Sequence, residues 1–377
     1  MKLETEASLG RSSRLISRHD RKRKHDELLQ EELETSLTEE VEVTEEVVVE
    51  EEIETVSESE PVTPEVCFAH DMTQTPQFPM LSEDNFRFND KIIHTFTGLE
   101  SYDKFLFVLS TLGPAAYCLK YIYFQVVGVS VKNQFFITLI KLREYETNTK
   151  LSFFFSISES CVKNIVYTWI IFMSKQWREA NIWPCQKLVR YFIPSDFKAK
   201  FPCTRVIVDG TECPIKKPKS PLAQQATWST YKNRNTVKVL VGSTPGGLVS
   251  FISDAYGGST SDRQIVERSS LVQMCDHYDS VMADKGFNVQ DLFASRNVTV
   301  NMPTFFRKKN RMSGKTVLKD RRISSKRVHV ERIIGLGKTY TILKNLLNST
   351  ETKLSSHIIY NCFMLCNFRT RIVSKYA

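Results

Sequence analysis

Asp209, Asp284 and Glu331 are the residues of this 377-residue chain whose types and surroundings could do chemistry together. Asp209 closes an apolar run, Arg205-Val206-Ile207-Val208-Asp209-Gly210, and Asp284 closes another, Val281-Met282-Ala283-Asp284-Lys285-Gly286-Phe287. Glu331 lies in a basic segment with a helical apolar pattern, Lys326-Arg327-Val328-His329-Val330-Glu331-Arg332-Ile333-Ile334. Two aspartates at strand ends and a glutamate on a helix can converge on one spot. Three hard oxygen donors gathered there would suit Mg²⁺ or Mn²⁺ and would suit zinc poorly. Two such ions about 4 Å apart can activate a water or a 3′-hydroxyl on one side of a phosphodiester and stabilise the leaving oxygen on the other. The carboxylates would then hold ions rather than carry protons; with no cation among them they would repel one another. Each residue also has a plainer reading. An Asp before Gly at a strand end commonly makes a turn, and Glu331, four residues after Arg327, can form an ordinary helix ion pair. The order of the three along the chain, in basic surroundings, favours the shared site.

The elements that must position them begin at Cys203, where the periodicity becomes that of strands. Thr204 to Asp209 reads as a buried strand, and Thr236 to Gly242 and Leu248 to Ser253 as two more, joined by a hairpin-type turn at Pro245-Gly246-Gly247. Asp262 to Cys275 reads as a helix, Val281 to Ala283 and Val298 to Met302 as short strands, and Ser324 to Lys344 as mainly helical, weakened by Gly335 and Gly337. This succession suits an α/β domain with an RNase H-like sheet. In that sheet the first strand lies beside the fourth, so Asp209 and Asp284 emerge at one edge, where open α/β sheets gather their ligands.

Upstream, from about Phe86 to Trp177, the pattern is helical. Leu151, Phe154 and Phe155 form one apolar face, Ser156-Ile157-Ser158 a short turn, and Val162, Ile165 and Trp169 the buried side of a following helix. Ser156 with Glu159 has capping-box spacing. Two short helices and a tight turn fit a helix-turn-helix exposing Glu159, Ser160, Lys163 and Asn164, and fit a plain helical hairpin equally.

Charge divides the chain. Residues 1–60 hold 8 Lys/Arg against 19 Asp/Glu, while residues 61–377 hold 43 against 24. The basic part favours polyanions, chiefly nucleic acid. Basic residues crowd the third acid: Arg307, Lys308, Lys309, Arg311, Lys315, Lys319, Arg321, Arg322, Lys326, Arg327, Arg332 and Lys338 could neutralise phosphates along a channel leading to the ions. At Trp228-Ser229-Thr230-Tyr231-Lys232 aromatics alternate with polar and basic groups, so Trp228 or Tyr231 could stack on an unpaired base or pack in the core. The first 66 residues read as a disordered tail, Glu-rich from Asp26 to Glu60, with Arg21-Lys22-Arg23-Lys24 fitting a nuclear import signal or a solvated charge cluster. Nine scattered cysteines without a CxxC pair point to a reduced compartment, and the most apolar stretches fall short of the ~20 residues of a membrane span.

Five ordered motifs carry a resemblance. Val206-Ile207-Val208-Asp209-Gly210-Thr211-Glu212, Trp228-Ser229-Thr230-Tyr231-Lys232, Gly257-Gly258-Ser259-Thr260-Ser261-Asp262, Ala283-Asp284-Lys285-Gly286-Phe287 and His329-Val330-Glu331-Arg332-Ile333-Ile334-Gly335 resemble the DDE superfamily endonuclease domain of PIF/Harbinger-like transposases and their insertion-sequence-type relatives. The resemblance spans about residues 203–366. It implies an RNase H-like fold, a metal-binding triad at Asp209, Asp284 and Glu331, and a preceding helix-turn-helix over about 134–172 within a helical region at 86–180. With the residues above it supports a divalent-metal-dependent DNA endonuclease using Mg²⁺ or Mn²⁺ as two ions, with DNA as partner, and the basic cluster at 21–24 adds the expectation of a nuclear location. The DNA contacts read from the basic segment, the aromatic turn and the exposed start of the second helix are Lys163, Trp228, Tyr231, Lys232, Arg307, Lys308, Lys309, Arg327, Arg332 and Lys338. Some relatives begin with a zinc-coordinating module, whereas this chain has an acidic tail; repeat recognition would then fall to the helix-turn-helix or to a separate Myb-like protein, and two DNA ends would call for a homo-oligomer. A host-adopted DNA-binding or scaffolding protein with a silent site, and an RNase built on the same sheet, are the rival readings.

Overall fold

The computed structural model describes residues 79–304, 313–370 and 373. The expectations for the N-terminal tail, including Arg21-Lys22-Arg23-Lys24, and for Arg307, Lys308, Lys309 and Arg311 lie outside the described residues. Among the described residues no helix is long and apolar enough to cross a membrane.

The helical region comprises α1 (Asp90–Thr97), α2 (Tyr102–Ser110), α3 (Val131–Glu144), α4 (Asn148–Phe155) and α5 (Glu159–Arg178). Val162, Ile165 and Trp169 are fully buried, as their spacing along α5 requires. The turn before α5 differs from expectation by two residues. Ser156 takes the left-handed conformation that ends α4, with φ of 51°, and Ser158 is the cap, its hydroxyl accepting the Cys161 N–H at 3.2 Å. So tight a reversal needs a residue at positive φ ahead of the cap, and Ser156 supplies it. Asn164 is buried rather than exposed: its amide donates to the Phe124 carbonyl at 2.6 Å and its side-chain oxygen accepts the Tyr123 N–H at 3.2 Å. The segment before α3 therefore covers one face of α5. A second polar group is buried and satisfied at Gln134, whose oxygen accepts from Trp169 Nε1 at 2.9 Å and from the Tyr121 hydroxyl, while its nitrogen donates to the Val129 carbonyl. Buried polar groups persist when so paired, and this one ties α3 to α5.

Two short helices, α6 (Gln186–Phe192) and α7 (Ser195–Lys200), lead into the sheet. Its strands are β1 (Thr204–Pro214), β2 (Trp228–Ser229), β3 (Arg234–Ser243), β4 (Val249–Ile252), β5 (Tyr256–Gly257), β6 (Ser280–Met282) and β7 (Thr299–Asn301). Helix α8 (Pro221–Thr227) precedes β2, α9 (Asp262–Arg268) and α10 (Leu271–Met274) precede β6, and α11 (Gln290–Ala294) precedes β7. Asp262 to Cys275 is thus two helices, because Ser269 is extended and interrupts the run. Strand β1 pairs antiparallel with β3 on one side and parallel with β6 on the other; β6 pairs parallel with β7, and the outer edge of β3 is met by β2, β5 and β4. The path β4-β3-β1-β6-β7, antiparallel up to β1 and parallel beyond it, is the mixed sheet expected of an RNase H-like domain. The chain ends in α12 (Gly314–Gly337), α13 (Ser349–Lys353) and α14 (Ser355–Cys366).

Helices α5 and α14 share one apolar core, with Trp169, Met173 and Trp177 packed in the same cluster as Ile358, Ile359 and Phe363. The Asn361 amide donates to the Ile170 carbonyl at 2.8 Å, closing that contact. Helix α12 begins at its Ser313 cap, well before the expected start, and runs on through Gly335 to Gly337. The two glycines play different parts. A methyl at Gly335 would meet nothing within 4 Å, whereas at Gly337 it would overlap the ring of Phe363. We expect Gly335→Ala to stabilise the protein by about 0.5–1 kcal/mol through restored helix propensity. Gly337→Ala should destabilise it by about 1–3 kcal/mol through overpacking. Denaturant titration of the two variants checks the opposite signs.

Candidate active site

The parallel register of β1 and β6 sets the site. Ile207 pairs with Met282, and Asp209 and Asp284 each lie two residues further along their chains. With side chains alternating in period two, both aspartates fall at one level on the face that bears Ile207 and Met282. Those two apolar side chains are fully buried in a cluster with Phe197 of α7 and with Ile323 and Val330 of α12. The cluster lays α12 against the sheet face, and Glu331 is the residue after Val330.

All three acids meet on one guanidinium. Arg327 Nη1 lies 2.8 Å from Asp284 Oδ1, and Nη2 lies 3.7 Å from Asp209 Oδ2 and 3.6 Å from Glu331 Oε1. Arg327 is only 8% exposed, and its Nε has no hydrogen-bond partner. The Asp209 side chain is 23% exposed, against 52% for Asp284 and 51% for Glu331. Burial accordingly lifts the Asp209 carboxyl to about 6; Arg327 opposes the rise, Asp284 adds to it, the Gly210 N–H opposes it, and Glu331 adds to it.

Arg327, expected among the phosphate contacts, is turned inward. So is Lys326, which is buried with its Nζ 2.6 Å from Asp196 Oδ2 and near the Phe197 ring. Positions 323, 326, 327 and 330 share the helix face that packs on the sheet, so basic residues there cannot face solvent. Among the described residues, no three His, Cys, Asp or Glu side chains are gathered as they stand into a set that could hold a metal ion. The donor chemistry nonetheless fits a hard divalent cation: three carboxylates already surround one positive side chain.

The remaining predicted contacts are dispersed. Tyr231 is 80% exposed and Trp228 44%, with Lys232 Nζ 4.5 Å from the Tyr231 ring centroid, so this turn presents its aromatics to solvent rather than to the core. Arg332 is exposed and Lys338 half-buried. Lys163 is exposed at the start of α5, its Nζ 5.3 Å from the Tyr123 ring centroid. Lys200, unremarked in the sequence, joins Lys315, Lys319 and Arg322 around a cleft of about 410 Å³ between α7 and the start of α12. Separation along the chain hid it. A fourth acid, Asp262, stands beside Gly210 and pairs with Lys238 at 2.8 Å.

Residues 208–367 match the DDE superfamily endonuclease family, and residues 128–178 match the helix-turn-helix of DDE superfamily endonuclease. The first match takes in Asp209, Asp284 and Glu331; the second spans α3, α4 and α5. The chain therefore carries a DDE superfamily endonuclease domain with its helix-turn-helix in front. No curated protein and no solved structure gives a significant match.

The raised Asp209 carboxyl makes stability depend on pH. Its contribution to stability is full below the ordinary carboxylate value of 3.8 and is lost as pH rises through about 6. Ion-free Asp209→Asn protein should therefore be more stable than the parent at pH 8, by on the order of 2 kcal/mol. The difference should shrink as pH falls through about 6 and vanish below 3.8. Thermal melts across that range in EDTA test it.

Proposed function

We propose that the chain is a divalent-metal-dependent DNA endonuclease of transposase type, cleaving phosphodiester bonds at DNA ends or repeats. The observation that carries this reading is the meeting of Asp209, Asp284 and Glu331 on one buried cation, inside a domain of the DDE superfamily endonuclease family. Asp209 and Asp284 would hold ions from the sheet and Glu331 from α12. Bound Mg²⁺ or Mn²⁺, as two ions, would supply activation of the attacking oxygen and stabilisation of the leaving one.

The chain's own groups do the rest. The cleft formed by Lys200, Lys315, Lys319 and Arg322, together with exposed Arg332 and half-buried Lys338, would offer phosphates basic contacts. Trp228 and Tyr231, with Lys232, offer a stacking surface for an unpaired base. At the helix-turn-helix the first turns of α5 would meet a groove, at Glu159, Ser160 and Lys163, because the middle of the helix from Asn164 to Ile170 is buried. A reader so restricted favours help in finding the repeat from a Myb-like partner or from a second copy of the chain. Arg21-Lys22-Arg23-Lys24 supports a nuclear location.

Purified protein should nick or cut DNA bearing the terminal repeats of its own gene when given Mg²⁺ or Mn²⁺. Asp284→Asn should lower that rate by more than about 100-fold, beyond what loss of a supporting residue costs a metal site, while DNA affinity stays close to the parent's. Undiminished cutting by the variant would refute the assignment, and absent cutting by the parent despite tight DNA binding would favour a host-adopted DNA-binding protein. Replacing Lys315, Lys319 and Arg322 by Ala should make the slope of log K against log salt shallower by about 0.9 for each phosphate that is no longer neutralised. Fluorescence anisotropy over a salt series reads that slope.

A further inference from the structure

We propose that Arg327 is a built-in stand-in for the metal ions. Its guanidinium holds the three carboxylates together before ions arrive, competes with those ions, and moves to the substrate phosphate once they bind. This rests on Asp209, Asp284 and Glu331 being the ion ligands.

Three observations lead to it. One side chain reaches all three acids, using both of its terminal nitrogens. Arg327 is 8% exposed although the helix carrying it has an exposed, basic outer side, and the charged groups its guanidinium meets there are the three acids. Its Nε is buried with no partner, leaving a donor of the fork unused in this arrangement. A buried unsatisfied donor is costly to keep, and it points to a second arrangement in which the donor is used.

Charge supplies the direction of the exchange. Three carboxylates outnumber one guanidinium, so the cluster remains negative and still attracts cations. Divalent ions among the same oxygens would repel Arg327. An arriving phosphodiester offers the same planar pairing with two oxygens that a carboxylate does, and Arg recognises both bidentately. No covalent bond changes in this exchange; only ionic partners do. Lys at the same place would keep the charge without the fork, which makes the Lys variant an informative control.

The test is Mn²⁺ binding to the full-length, ion-free protein by calorimetry. Arg327→Gln should bind Mn²⁺ at least tenfold more tightly than the parent, Arg327→Lys should stay within about threefold of it, and Asp284→Asn should bind far more weakly. Equal or weaker binding by Arg327→Gln would overturn the inference, since a merely structural arginine gives no reason for tightening. If the parent itself binds no Mn²⁺, the ion-ligand reading falls and takes this inference with it. Should Arg327→Gln fail to fold, the parent decides. Arg327 should resist phenylglyoxal in EDTA and react at least fivefold faster with Mn²⁺ bound, as read by peptide mass mapping; equal protection in both states, with Mn²⁺ shown to be bound, would overturn the inference.

Discussion

Three carboxylates cannot share a few ångströms of partly buried space unless a cation stands among them, and the architecture around this site follows from that constraint. The parallel pairing of β1 with β6 brings Asp209 and Asp284 level, the apolar cluster of Ile207, Met282, Ile323 and Val330 holds α12 to the same face, and Glu331 arrives with it. Arg327 arrives on that helix too, one turn before Glu331. The cation that balances the acids is thus supplied by the element that completes them. The arrangement costs stability at Asp209, whose carboxyl is held in a setting that resists its charge. Sites that bind strongly charged partners commonly retain such tension.

The helix-turn-helix is built into this structure rather than hung from it. Tyr360 donates from α14 to the Trp177 carbonyl at the end of α5. Lys141 of α3 and Glu351 of α13 form an ion pair at 3.8 Å in which both side chains are buried, and Tyr145 donates to the same glutamate at 2.7 Å. Breaking a buried pair by removing one partner leaves an uncompensated charge, at a cost of about 3–5 kcal/mol. Contacts of that kind fix the helices against the elements that follow Glu331. DNA held by the first turn of α5 would therefore meet the acidic site in a set geometry rather than through a loose tether.

Much of this was legible in the chain. Short apolar runs ending in Asp marked β1 and β6, although β1 runs on past Asp209 to Pro214; the change of period at Cys203 marked the start of the sheet, and the spacing of Val162, Ile165 and Trp169 gave the buried face of α5. What escaped had physical reasons. Arg327 reads as one more basic residue in a basic segment, because the phase of α12 against the sheet is set by Ile323 and Val330 packing on strands far away along the chain. Ser156 and Ser158 are equivalent cap candidates until the positive φ of the reversal is known. Gly337 looks like a helix breaker, yet it is the point where α12 comes up against Phe363. Asn164 looks solvent-facing because its partners, Tyr123 and Phe124, belong to a segment with no periodic pattern. Apart from the local cap, each miss concerns a contact between distant parts of the chain, which periodicity alone does not encode.

The most direct trial of the central claim is a crystal of the protein grown or soaked with Mn²⁺, read by anomalous scattering. The account predicts anomalous peaks bounded by the oxygens of Asp209, Asp284 and Glu331 together. Manganese found only elsewhere, or found here with any one of the three carboxylates turned away and taking no part, would contradict it.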